Sequence, residues 1–315
     1  MTMKLAMVFP GQGSQSVGML AGFGAYPVVS ETLAEAGAVL GQDLWTIVAD
    51  GPAGELNRTV NTQPIMLAAD IAIYRAWQSA GGSRPAMLAG HSLGEYAALV
   101  AAGVLSFTDA LPLVRFRAQA MQDAVPQGVG AMAAIMGLDD AGVADACAQA
   151  RQGQAVDPVN FNAPGQTVIA GNREAVERAM AAARAKGAKR ALMLPVSAPF
   201  HSSLLKPAAD RLVSYLAKVT VREATIPVIH NVNVESANSA DEIRDALAKQ
   251  AANPVRWVET VRAFATTGVT HVVECGPGTV LSGLCRRIAP EIEAFSTNDG
   301  EAFAAALDAT KVRNG

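Results

Sequence analysis

Ser92 stands in Gly90-His91-Ser92-Leu93-Gly94, and a serine flanked this way by two glycines suggests nucleophilic chemistry. Pro85 to Ala89 is a short apolar run that reads as a buried strand, and Ala97 to Gly103 reads as a small-residue helix. A strand, a Gly-X-Ser-X-Gly turn and a helix are the context of a nucleophile elbow. Gly90 and Gly94 are required because side chains would collide in so tight a turn. The serine is then exposed above the sheet edge, over a helix N-terminus whose free N–H groups favour negative charge. The alternative is a plain glycine-rich turn in which Ser92 caps the helix.

A serine hydroxyl is a weak nucleophile near neutral pH and needs an adjacent base. The chain has 4 histidines, at 91, 201, 230 and 271. His91 lies inside the elbow and points away from Ser92, and His271 opens a buried strand as a core residue. His201 follows Pro199-Phe200 in a loop at a domain junction, where pockets are often built. It is the first candidate base, and His230, near a strand end, is the second. Asp139, Asp140, Asp145 and Asp157 lie between Ser92 and His201, on helix starts or strand edges, and none reads as an orienting carboxylate. A backbone carbonyl could hold the imidazole N–H instead, and that leaves no side-chain signature. Arg115 and Arg117 share a helix but are turned about 200° apart, so at most one enters a site. Periodicity does not choose between them.

These residues need a framework. Leu5 to Phe9 is a buried strand ending in Pro10-Gly11-Gln12-Gly13-Ser14-Gln15, a loop able to offer N–H groups to an anion. It has neither Walker A nor dinucleotide-binding spacing. Residues 27 to 50 read as helical. Asn61-Thr62-Gln63-Pro64 opens a helix running to Ser79, with Thr62 as its cap and Pro64 in the first turn. The alternation of strands and helices implies a parallel α/β sheet. Another helix runs from Ser106 to Ala124 with Leu111, Val114, Ala118 and Met121 toward the core. Pro126-Gln127-Gly128 marks a boundary, and Ala131 to Val196 then reads β-α-β-β-α-β, the ferredoxin-like pattern. Ser197 to Ser202 returns the chain to the larger part, where Ile226 to Asn231 and His271 to Cys275 are strands. The expected division is 1–127 and 198–315 for the large domain, with 128–197 inserted.

Composition narrows the classes of function. Half of the 315 residues are hydrophobic and 17% are charged, as in a globular protein with a substantial core. A net charge of −3 argues against nucleic acid as a partner. Cys147, Cys275 and Cys285 have no metal-ligand or Cys-X-X-Cys spacing, which suits a reduced protein without disulfides. The N-terminal apolar run is too short for a signal peptide, and no run approaches the ~20 residues that span a bilayer. The expectation is a soluble cytoplasmic protein with no membrane partner and no metal.

In order along the chain, Gly11-Gln12-Gly13-Ser14-Gln15, Thr62-Gln63-Pro64, Gly90-His91-Ser92-Leu93-Gly94-Glu95, Arg117, Pro199-Phe200-His201 and Gly276-Pro277-Gly278 resemble the malonyl-CoA:acyl carrier protein transacylases. The resemblance covers essentially the whole chain. It implies an α/β-hydrolase-like large domain and the transfer of malonyl from coenzyme A thioester to acyl carrier protein in fatty-acid synthesis. The same fold serves polyketide synthase acyltransferase domains and a malonate decarboxylase subunit. By position, the resemblance implies Ser92 as nucleophile and His201 as its base, oriented by the backbone carbonyl of Gln250. It implies the backbone N–H groups of Gln12 and Leu93 as the oxyanion hole, and Arg117 rather than Arg115 as the carboxylate partner. Gln63, Phe200, Asn160 and Asn162 match substrate-binding positions. Ala118 departs from the glycine that many relatives carry there. No bound cofactor is implied, and the chain is expected to be a monomer. Because acyl carrier proteins are acidic, Lys186, Lys189, Arg190, Arg286 and Arg287 are candidates for the docking face.

Overall fold

In the computed structural model, which describes residues 3–311, the apolar runs become the strands at its centre. β1 (Leu5–Phe9) leads through α1 (Pro27–Leu40), α2 (Leu44–Ala49), α3 (Ala53–Leu56) and α4 (Thr59–Ser79) to β2 (Met87–Gly90). α5 (Gly94–Ala101) and α6 (Phe107–Asp123) follow. The next segment contains β3 (Gly130–Met136), α7 (Asp140–Ala150), β4 (Val156–Ala163), β5 (Gln166–Asn172), α8 (Arg173–Ala185) and β6 (Arg190–Met193). α9 (Lys206–Leu216), β7 (Val228–Ile229), α10 (Ala240–Gln250), α11 (Trp257–Thr266) and β8 (His271–Glu274) come after it. The last elements are α12 (Val280–Ile288), β9 (Glu293–Ser296) and α13 (Gly300–Ala309). Residues 1–2 and 312–315, the outer ends of the expected large domain, lie outside the described residues.

β7-β2-β1-β8-β9 form a parallel sheet. Its central strands β1 and β2 are buried on both faces, which is why they read as unbroken apolar runs. Leu5, Met7 and Phe9 pack into the core on one face, while Ala6 and Val8 pack with Trp257, Val261 and Phe264 on the other. The second sheet is antiparallel in the order β4-β5-β3-β6, the ferredoxin-like arrangement. Ala133, Ile135 and Ile169 pack on its helix-covered face with residues of α7 and α8. Met132, Val159, Val168 and Ala170 cluster separately with Leu194, Val196 and Phe200.

β4 is an edge strand with two register shifts and contains Pro158, as an edge allows. Its outer edge meets the segment that precedes α11. Phe161 N–H donates to the Val255 carbonyl at 3.0 Å, and Val255 N–H donates to the Val159 carbonyl at 2.9 Å. This strand-like contact ties the small sheet to the chain that surrounds the large one.

Three expectations about elements change. The helical stretch from 27 to 50 breaks at Gly41, whose φ of 62° is left-handed and ends α1. α4 starts at Thr59, and Thr62 does not cap it: its hydroxyl donates backward to the carbonyls of Leu56 and Arg58. Asn61 likewise donates to the Glu55 carbonyl, so these side chains bind the preceding turn and Pro64 falls inside the helix. The expected strand 226–231 shortens to Val228–Ile229 because Asn231 N–H turns to the Glu95 carboxylate instead of a strand neighbour.

Candidate active site

β2 ends at Gly90 and α5 begins at Gly94, so the turn between them is as tight as the sequence implies. A Cβ at Gly90 would lie 1.9 Å from the carbonyl carbon of Gly94, and one at Gly94 would lie 2.0 Å from the Phe9 carbonyl oxygen. No larger residue fits either position. Ser92 takes φ 52°, a left-handed conformation that costs a non-glycine residue energy and that its surroundings must hold.

Ser92 Oγ is 2.7 Å from His201 Nε2. His201 also has a left-handed φ, 64°. Its Nδ1–H donates to the Gln250 carbonyl oxygen at 2.8 Å, which leaves Nε2 as the acceptor toward Ser92. The orienting group is thus a backbone carbonyl at the end of α10, and none of the four aspartates considered from sequence does this work. His201 is 3% exposed. Burial, and after it the Arg117 charge, pull its pKa down to about 3 against the opposing effect of the bond to Gln250. The imidazole is therefore neutral at physiological pH and able to accept a proton.

Arg117 is 1% exposed and aims into the same site. Its Nη1 donates to Gln63 Oε1 at 2.9 Å, and its Nη2 to Gln250 Oε1 at 2.9 Å and to Ser92 Oγ at 3.2 Å. The guanidinium also lies 5.3 Å from the centroid of the Tyr96 ring. Among the described residues no carboxylate forms an ion pair with it, and its Nε has no partner. Arg115 points the other way, bonding the Leu40 carbonyl and Gln42. The helical rotation separates the two arginines as expected, and tertiary packing selects Arg117.

The loop after β1 presses on the elbow, since a Cβ at Gly11 would lie 2.5 Å from the His91 carbonyl oxygen. The backbone N–H groups of Gln12 and Leu93 have no acceptor among the described residues. Around these groups is a pocket of about 590 Å³. Gln12, Gln63, Ser92, Leu93, Arg117 and His201 line it, with Asn160, Asn162 and Phe200 in its wall. Met132, Val168, Leu194 and Val196 add an apolar side. His91 Nε2 donates to Asn162 Oδ1 at 2.8 Å, so it faces away from Ser92 and links the elbow to β4.

The second candidate base does not approach Ser92: His230 Nδ1 donates to Glu95 Oε1 at 2.7 Å. His271 is half-buried, bonds Thr270 Oγ1 and stacks on Phe295, so it is less a core residue than the sequence suggests. Lys186, Lys189, Arg190, Arg286 and Arg287 are all exposed. Lys186 pairs with Asp145, Arg286 donates to the Ala294 carbonyl and Arg287 to Gln166. Sequence reasoning did not find Glu95, Asn231 or the Gln250 side chain as parts of this site. Their signal is mutual hydrogen bonding across long sequence separations, which spacing does not carry. No group of His, Cys, Asp and Glu among the described residues could hold a metal ion, and no described helix is long and apolar enough to cross a membrane.

A parallel α/β sheet with a Ser–His pair on its elbow and a buried arginine beside it defines the class of acyl-transferring α/β proteins. A family model described as "Acyl transferase domain" matches residues 6–295, and the chain belongs to that family. It is 58% identical to the malonyl CoA-acyl carrier protein transacylase of Escherichia coli K12 over 306 residues, covering 97% of this chain and 99% of the relative. An acyl-carrier-protein S-malonyltransferase from Burkholderia pseudomallei superposes with a TM-score of 0.96 at 60% identity, covering 97% of this chain and 100% of that one. A malonyl-transacylase solved in complex with its type II PKS acyl-carrier protein gives 0.96 at 53% identity, covering 97% and 99%.

Proposed function

We propose that this acyltransferase moves a malonyl group from malonyl-CoA to the phosphopantetheine thiol of an acyl carrier protein, supplying fatty-acid chain elongation, with Ser92 carrying the group in between. The observation that supports this most is Arg117: a buried guanidinium 3.2 Å from Ser92 Oγ with no carboxylate paired to it among the described residues. A site so built favours an acyl group that brings its own anion. Burying a carboxylate unpaired is costly, and arginine's planar fork can bind both of its oxygens at once.

The steps follow from the geometry. His201 Nε2 takes the Ser92 hydroxyl proton as Oγ attacks the thioester carbon. The N–H groups of Gln12 and Leu93 hold the oxyanion that develops. The C–S bond breaks, and the coenzyme A sulfur leaves with the proton from His201. The carrier's thiol then enters, gives its proton to His201 and attacks the malonyl ester. Ser92 Oγ departs and takes that proton back. Gln63 and the Gln250 carbonyl hold Arg117 and His201 in place, while Asn160, Asn162 and Phe200 bound the thioester's path. Residues 128–197 act in this reading as the subdomain that supplies the apolar wall. Lys189 and Arg190, exposed and with no side-chain hydrogen bond or ion pair among the described residues, are the basic positions left free to meet an acidic carrier, whereas Lys186, Arg286 and Arg287 are engaged. The chain works in the cytoplasm, in keeping with its free buried cysteines, as a monomer and without a bound cofactor.

The test is kcat/KM for malonyl-CoA and acetyl-CoA. Arg117→Ala loses hydrogen bonds to a charged group and should lower malonyl transfer at least ~100-fold. Acetyl transfer, with no carboxylate to place, should hold or improve. A parallel loss for both substrates would mean that Arg117 serves the fold or coenzyme A, and the substrate assignment would fail.

A further inference from the structure

We propose that Glu95 is a positioning residue for acyl transfer, holding nucleophile and base in register through Asn231 and Gln250, and that His230 is the donor that fixes Glu95. The proposal rests on Ser92 being the nucleophile and goes beyond that assignment.

Glu95 lies in the first turn of α5 and is fully buried. Three donors converge on its carboxylate: His230 Nδ1–H on Oε1 at 2.7 Å, and Asn231 N–H at 3.0 Å and Gln250 Nε2 at 2.8 Å on Oε2. Each of the last two then reaches the reacting groups. Asn231 Oδ1 accepts from Ser92 N–H at 2.8 Å, and its Nδ2 donates to the Gly90 carbonyl at 2.7 Å. One amide thus spans the two sides of the strained turn. Gln250 does more. Its Nε2 donates to the Ser92 carbonyl at 2.8 Å, its Oε1 accepts from Arg117, and its own carbonyl accepts from His201.

Ser92, His201 and Arg117 come from three different segments of the chain, and each touches Asn231 or Gln250. Glu95 binds both of those residues. It touches no reacting atom itself. A left-handed Ser92 persists only where its neighbours over-determine it, and here the Asn231 amide and the Gln250 side chain hold the backbone N–H and carbonyl of Ser92. Losing the anchor lets the turn relax. A displacement of about 1 Å between reacting groups is enough to cost roughly 100-fold in rate.

The test separates nucleophile reactivity from substrate binding. A small fluorophosphonate, which carries no carboxylate and needs no arginine, reads the rate at which Ser92 reacts. KM for malonyl-CoA reads binding. His230→Leu removes the donor to Glu95, and Glu95→Gln keeps the size but places an N–H₂ where acceptors are required. In folded protein either change should slow fluorophosphonate labelling by about 10- to 100-fold while KM stays within about twofold. His230→Asn, whose amide N–H can reach the same carboxylate oxygen, should restore most of the rate. If His230→Leu does not fold, the near-isosteric Glu95→Gln carries the same expectation. Folded variants that lower only the melting temperature and label at the parent rate would overturn the proposal. Labelling of Ser92→Ala at the parent rate would instead overturn the nucleophile assignment, and this proposal with it.

Discussion

His201 is kept a neutral base by its surroundings. Burial is the larger cause of its lowered pKa and the Arg117 charge the second. A malonyl carboxylate arriving at Arg117 would offset that charge, so the imidazole gains basicity as the right substrate binds, whereas an acetyl group brings no such change. Removing the cation should have the same sign. With acetyl-CoA as substrate, kcat/KM reports ionisations of the free enzyme, and its acid limb should lie at higher pH in Arg117→Ala than in the parent. Because burial remains, the limb should stay below the ordinary histidine value of 6.5. A limb that is unmoved, or moved to lower pH, would contradict this electrostatic coupling. At this scale the sequence was informative where chemistry depends on side-chain identity. Ser92 stood out by its glycines, and His201 by its junction loop. Periodicity did not choose between Arg115 and Arg117, because both sit on one helix, and the choice came from the family resemblance and then from tertiary packing. The carbonyl of Gln250 has no side-chain signature at all, and only the family resemblance pointed to it.

Among the elements, α4 contains a group that the acyl-transfer steps do not use. Asp70 is fully buried in it, and neither carboxyl oxygen has a partner among the described residues. It faces the turn after β8, where a Cβ on Gly276 would lie 2.2 Å from Asp70 Oδ1. Burial, and then the nearby Glu274 carboxyl, raise its pKa well above 3.8. The sign of the linkage follows. The folded chain holds a proton that the unfolded chain releases above 3.8, so stability is fully present below that value and is lost as pH rises toward the folded-state pKa. Asp70→Asn has no proton to lose. Its melting temperature should rise relative to the parent as pH is taken from about 4 to about 8. A difference that stays constant over that range would show that Asp70 does not titrate in this way. The extents of elements were legible wherever apolar period and caps agreed. β1 spans Leu5–Phe9 as expected, and α6 begins directly after Ser106, whose hydroxyl caps it. They failed where side chains reached across the fold: Thr62 bonds backward instead of capping α4, and Asn231 leaves its strand for Glu95.

For the whole molecule, strand–helix alternation was enough to read a parallel sheet carrying an antiparallel insertion. The pairing of β4 with Val255 was not legible, because an edge strand's partner far along the chain leaves no periodic trace. That pairing matters, since it seats the small sheet where Met132, Val168, Asn160 and Asn162 face Ser92 across the pocket. The central claim is that one serine passes malonyl from coenzyme A to a carrier protein through this pocket. The most direct measurement is the intact mass of the protein after exposure to malonyl-CoA, followed by addition of phosphopantetheinylated acyl carrier protein. A single malonyl adduct on Ser92 is predicted, which disappears as the carrier gains the same mass, and Ser92→Ala should show none. An adduct that forms on Ser92→Ala, or one on the parent that survives the carrier, would contradict the account.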